Sequence, residues 1–172
     1  FRQEGGGVAV IGQPIEGISA VAVNNTQGSA DLADALVDLG YRTIAVIGGP
    51  TDRLTARDRR TGFIDALAAQ GIKVADSDVL ACAFTWEGGY QAMTTLLERD
   101  RLPELVFATN DVMALGALAA VRDAGKSVPG DVALAGFGET APLPAVTPTP
   151  TAVGPPLPSP RPQAAPPALP AP

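Results

Sequence analysis

Histidine is absent from this 172-residue chain, and cysteine occurs once, as Cys82. The first absence removes the most frequent general base of enzymes. Together with the solitary cysteine it also removes the usual ligands of a structural zinc ion, so no metal site is expected. Cys82 has no second cysteine to pair with, which excludes an internal disulfide and fits a reducing compartment; a cytoplasmic location is expected. No apolar run approaches the roughly 20 residues of a membrane-crossing helix, so no membrane partner is expected. The opening residues, FRQEGGG, have neither an initial Met nor the charged-then-apolar order of a secretory signal, and the expectation is a partial chain.

Basic charge is also scarce. Up to position 141 the chain carries 11 basic against 18 acidic side chains, and beyond it only Arg161 is charged. A surface of that sign does not grip a phosphate backbone. Catalytic signatures are missing as well. There is no G-x-S-x-G elbow, Cys82 has no activating partner nearby in sequence, and Gly48–Gly49 is too short for a dinucleotide loop. The chain is not expected to be an enzyme or to hold a cofactor.

What is present is 46% hydrophobic sequence arranged in blocks. The runs AVAVN, TIAVIGG, VLACAF, LVFAT and VALAGF read as strands and alternate with helical patterns. One helix is expected from near Thr26 to Gly40, with Ala33, Leu36 and Val37 on its apolar face. A second, with Thr55 as N-cap, turns Phe63, Ala66 and Leu67 inward and stops at Gly71. A third starts near Thr85 and packs Tyr90, Met93 and Leu97. A fourth, capped by Asn110, buries Ala114, Ala117, Leu118 and Val121 and ends at Gly125. Such alternation predicts an α/β fold, a parallel sheet flanked by helices. Three regions follow: residues 1–19 as a partial strand and linker, 20–141 as an α/β subdomain, and 142–172 as a disordered tail. That tail holds 13 of the 17 prolines, which supply no backbone donor and favour polyproline-II-like chain.

In an open parallel sheet, ligands bind beyond the carboxyl ends of the strands. The sequence puts Arg59 after TIAVIGG, Phe84 after VLACA, Asn110 and Asp111 after LVFAT, and Gly138 and Glu139 after VALAGF. A guanidinium, a side-chain amide and an aromatic ring together suit a polyhydroxyl or heteroaromatic ligand. Each residue also has a plain structural reading. Arg59 could be a solvated helix residue, Phe84 core, Asn110 a helix cap and Asp111 a first-turn acid that complements the helix dipole.

The stretches VNNTQGSADLADALVDLGYRTIAVIGGP, TARDRRTGFIDALAAQGI and ATNDVMALGALAAVRDAGKSVPGDVALAGF resemble lactose-repressor-like (LacI/GalR) bacterial transcription regulators over roughly residues 8–137. The R-x-x-G pair Arg59 and Gly62, the N-D-x-M-A-L-G stretch from Asn110 to Gly116, and VPGDVALAGF carry the resemblance. It implies one α/β subdomain of a periplasmic-binding-protein-like effector module, with Arg59, Phe84 and Asn110 at effector-contacting positions. It also implies a small, carbohydrate-like effector, a homodimer in the intact parent, and operator DNA read through a helix-turn-helix headpiece that this chain lacks. Where the family usually has G-F-D-D, this chain has Gly136-Phe137-Gly138-Glu139. The first aspartate of that motif ordinarily accepts ligand hydroxyls. The family-like pattern is expected to stop there, with the proline run as the product of a frameshift. The alternatives are a periplasmic-type sugar-binding protein of a transport system and a non-functional truncated regulator.

Overall fold

The computed structural model describes residues 24–138 throughout and, as backbone alone, the short strands Ala9–Ile11 (β1), Ser19–Val21 (β2) and Thr151–Val153 (β7). Between β2 and β7 the order is α1 (Asn25–Asp38), β3 (Ile44–Ile47), α2 (Leu54–Ala69), β4 (Val79–Leu80), α3 (Trp86–Leu97), β5 (Leu105–Ala108), α4 (Asp111–Asp123) and β6 (Ala133–Phe137). The main sheet has the order β4-β3-β5-β6-β7, with every neighbouring pair parallel. The α/β expectation is met.

The apolar runs are buried on both sides because helices cover both faces. Strand residues alternate accordingly. Ile44, Val46, Leu105, Phe107, Ala133, Ala135 and Phe137 pack with Leu32, Leu36, Phe63 and Leu67 of α1 and α2. Ala45, Ile47, Val106, Ala108 and Leu134 pack with Met93, Leu96, Met113, Ala117 and Val121 of α3 and α4. The rings of Phe63 and Phe107 stack with centroids 4.1 Å apart in the first of these layers.

Capping explains most of the helix boundaries. Asn24 accepts from the Gln27 amide at 3.0 Å, Thr85 from Gly88 at 3.0 Å, and Asn110 from Val112 at 2.8 Å. The expected stops hold: Gly40, Gly71 and Gly125 each follow their helix at positive φ. Thr55 is not a cap. The turn at Pro50 runs straight into α2, so the carbonyl of Arg53 takes the first helical bond, from Arg57, and Thr55 lies inside the helix.

Two strand expectations need correction. VLACAF is a strand only over Val79–Leu80, since the Gly48 amide makes its bond to the Leu80 carbonyl (2.8 Å) and the β3 chain then turns away at Gly49. Of AVAVN only Ala20 and Val21 lie in a described strand, which is not part of the main sheet, and residues 22–23 lie outside the described residues. That strand, Ser19–Val21, pairs with β1 instead, because both edges of β3 are already taken by β4 and β5. The boundary drawn at residue 20 therefore cuts through β2, and the helix-flanked unit begins at α1. In the proline-rich region the proline-free Thr151–Val153 keeps its backbone donors and lies beside β6, so these three residues are strand, not tail. The rest of 142–172 lies outside the described residues.

Candidate functional site

From β3 the chain passes through α2 outward to β4, then through α3 back across to β5 on the other side of β3. This reversal of winding direction falls between β3 and β5, and the carboxyl ends of the strands at such a point are the usual ligand position of such sheets. The three candidate residues all belong to segments at this edge. Phe84 lies beyond β4, Asn110 directly beyond β5, and Arg59 in the second turn of α2.

Arg59 reaches across the edge. Its Nε donates to Asn25 Oδ1 at 2.8 Å, and one terminal nitrogen donates to the carbonyls of Thr109 (2.9 Å) and Phe137 (3.3 Å). The guanidinium carbon stands 4.4 Å from the centroid of the Phe137 ring. One side chain thus joins the start of α1, the body of α2 and the carboxyl ends of β5 and β6. A partly buried cation in an acidic protein is stabilised here by three oxygen acceptors and an aromatic face. Thr109 is itself fully buried, its amide and hydroxyl both bonded to the Ile47 carbonyl (3.0 and 3.3 Å).

Phe84 is half-buried and packs against the edge of the α3–α4 core; its ring lies so close to Gly49 that a Cβ there would collide with it. Asn110 is held as the α4 cap, its Oδ1 engaged by the Val112 amide. The structure therefore places all three at one sheet edge, and the bond from Arg59 to Thr109 brings it to the residue next to Asn110.

Sequence reasoning did not single out Asn25, Thr109 or Phe137 as partners of Arg59. The available signal was the pair Asn24–Asn25 at the start of α1: Asn24 caps the helix, and the amide oxygen of Asn25 takes the bond from Arg59. It also passed over how Asp111 sits. A Cβ placed on Gly138 would lie 2.7 Å from Asp111 Cγ, and one on Gly136 would lie 2.8 Å from Asp111 Oδ1. The Asp111 carboxylate occupies the space over β6 that these two glycines leave open.

Groups with displaced titration differ from these. Burial pushes the Cys82 thiol up, against a smaller opposing effect of the Gly49 amide, and its Sγ lies 3.4 Å from Met113 Sδ. Such a thiol is a poor nucleophile. Glu104, which accepts from the amides of Thr43 and Arg42 at the amino end of the sheet, is held below the usual carboxylate range by those bonds. Tyr90 is raised by its hydrogen bond to Asp123. Among the described residues no three histidine, cysteine or acidic side chains are grouped as a metal site, and no helix is long and apolar enough to cross a membrane.

Residues 33–159 match the periplasmic binding protein-like domain. The chain belongs to that family. The match runs past residue 138, where the sequence pattern was expected to stop, and into the proline-rich region. Over 130 residues the chain is 36% identical to the HTH-type transcriptional regulator CelR of Thermobifida fusca, which covers 76% of this chain and 38% of that protein. A sugar-binding transcriptional regulator of the LacI family from Escherichia coli, crystallised with phosphate, superposes with a TM-score of 0.76 at 29% identity, covering 84% of this chain and 52% of that one. A CelR–cellobiose complex superposes with a TM-score of 0.66 at 35% identity, over 75% of this chain and 41% of that one. These relatives are LacI-type regulators, and the periplasmic binding protein-like fold corresponds to their effector domain. The chain spans well under half the length of the curated relative.

Proposed function

We propose that this chain is the effector-sensing part of a LacI-type transcription regulator. It takes a small carbohydrate-like molecule at the carboxyl edge of the sheet, with Arg59 and Asn110 bonding hydroxyls and Phe84 packing on the apolar face of the sugar ring. The observation that carries this reading is the position of Arg59. It is fixed over the ends of β5 and β6, on the carbonyls of Phe137 and of Thr109, the residue before Asn110. A cation fixed by protein acceptors is preorganised, so a ligand meeting it does not bear the entropy of ordering it. The cellobiose complex of CelR supports the sugar class. In this reading the regulator is a cytoplasmic homodimer without catalytic activity. DNA is read by a helix-turn-helix part beyond this acidic unit, and the effector shifts the population between DNA-competent and incompetent states.

The test is a thermal-shift and calorimetric screen of the full chain against mono- and disaccharides, cellobiose included. A true effector at about 100 times its Kd should stabilise the fold by about 2.7 kcal/mol, a rise of several degrees in midpoint. If no saccharide shifts the transition, the sugar-sensing reading fails.

A further inference from the structure

Of the three candidate side chains, Arg59 and Asn110 are oriented by hydrogen bonds. Phe84 has no polar atom in its side chain, so packing alone must orient its half-buried ring. A planar group recognises a sugar only in those side-chain torsions that bring its face to the ligand.

The backbone around Phe84 is fixed from both sides. Cys82, two residues earlier, places its Sγ 3.4 Å from Sδ of Met113, in the first turn of α4. Ala83 is pressed against the start of α3: a Cβ on Gly88 would lie 2.5 Å from its carbonyl oxygen. Thr85 is tied down as the α3 cap, through its 3.0 Å bond from the Gly88 amide. These anchors leave Phe84 only its own torsions.

Gly49 meets the ring. It follows β3 at φ +66°, and its neighbour Gly48 is held by the 2.8 Å bond to the Leu80 carbonyl. A Cβ on Gly49 would lie 2.9 Å from Cδ1 and 3.1 Å from Cζ of Phe84, and closer still to the Cε1 between them. One edge of the ring thus occupies the volume of the missing side chain. The other described glycines at positive φ are Gly40, Gly71 and Gly125, and a Cβ on any of them meets nothing within 4 Å. Those three end helices, where the left-handed turn is reason enough for glycine. Gly49 ends a strand and has a second reason, the close approach of a ring.

We infer that Gly49 is a positioning residue of the proposed site: by leaving room for one edge of Phe84, it holds the ring in the pose that packs on a sugar. The inference rests on the proposed effector site and deepens it. The ring is set before any ligand arrives, and a side chain at position 49 swings it away while Arg59 and Asn110 keep their bonds.

Calorimetry on the full chain reads the effect, with cellobiose and the tightest-binding member of the saccharide panel as probes. Gly49→Ala should weaken binding about three- to tenfold, the range of an aromatic contact. Gly125→Ala imposes left-handed backbone strain with no ring beside it. It should lower the thermal midpoint, as Gly49→Ala does, yet bind within about twofold of wild type. In a Phe84→Ala background the effect of Gly49→Ala on affinity should vanish, because the coupling runs through the ring. A merely structural role for Gly49 does not produce that coupling. Binding by Gly49→Ala as tight as wild type, or a loss that is equal with and without the ring, overturns the inference and leaves the effector site standing. So does an equal loss in Gly125→Ala. If wild type binds no saccharide, the effector site fails and the inference with it. Should Gly49→Ala not fold, three-bond couplings of Phe84 in the unliganded wild-type chain decide the matter. A single χ1 rotamer, unchanged by the bound sugar, is expected, and rotamer averaging overturns the inference.

Discussion

Arg59 binds Phe137 twice, through its guanidinium face 4.4 Å from the ring centroid and through a 3.3 Å hydrogen bond to the carbonyl of the same residue. With Asn25 and Thr109 as its other partners, it holds together segments 34, 50 and 78 residues apart in sequence.

Arg59→Ala should therefore weaken the fold as well as the site. Charge-assisted, partly buried hydrogen bonds of this kind imply a loss of about 2 kcal/mol, read from urea unfolding of the full chain. Arg59→Lys should recover little of it, since one ammonium cannot reach three acceptors in the planar fork geometry. A lysine variant as stable as the wild type would show that the bonds to Thr109 and Phe137 contribute nothing.

Gly62, the glycine of the R-x-x-G pair, lies where α2 crosses α1. A Cβ there would meet the backbone of Thr26, with its Cα and carbonyl carbon 2.9 Å away and its oxygen closer still. Backbone cannot rotate aside as a side chain can. Gly62→Ala should cost about 1–3 kcal/mol despite the better helix propensity of alanine, visible as a lowered thermal midpoint. A midpoint equal to or above wild type would mean that the two helices move apart freely.

Acid should act through Glu104. Its carboxylate accepts from the amides of Thr43 (2.9 Å) and Arg42 (2.7 Å), and these bonds hold its folded pKa below the ordinary glutamate value. A depressed folded pKa contributes stability that is present above the unfolded pKa and lost as the pH falls through the folded one. Wild type should then exceed Glu104→Gln in stability at neutral pH, and the gap should close on the acid side, below the usual glutamate range. Chemical denaturation of both proteins across pH 3–7 (about the relevant span) checks this. A gap independent of pH would assign the effect to packing.

The helices were legible because their signals are local. Asn110 and Thr85 sit at cap positions, Gly40 and Gly125 at stops, and Leu36, Met93 and Val121 recur at helical spacing on buried faces. The fully buried strands β3, β5 and β6 were legible as short apolar runs. Pairing partners were not, because nothing in AVAVN distinguishes the edge of β1 from the edge of β3. The partners of Arg59 escaped for a similar reason: two of its acceptors are backbone carbonyls, which every residue has. The place of Asp111 depends on two side chains that are missing, at Gly136 and Gly138, and a missing atom leaves its mark only once the fold brings α4 onto β6.

At the outer edge of the main sheet, Thr151–Val153 forms a ladder three residues long beside β6. In the sequence it is preceded directly by Pro150 and followed, after Gly154, by Pro155 and Pro156, none of which has an amide proton to offer. A strand from another molecule adding to this side would find at most a few consecutive donors, too few for a stable ladder. Short length and bordering prolines are among the means by which natural sheets resist edge-to-edge aggregation. The prolines that flank β7 thus give this side of the protein a built-in protection against polymerisation.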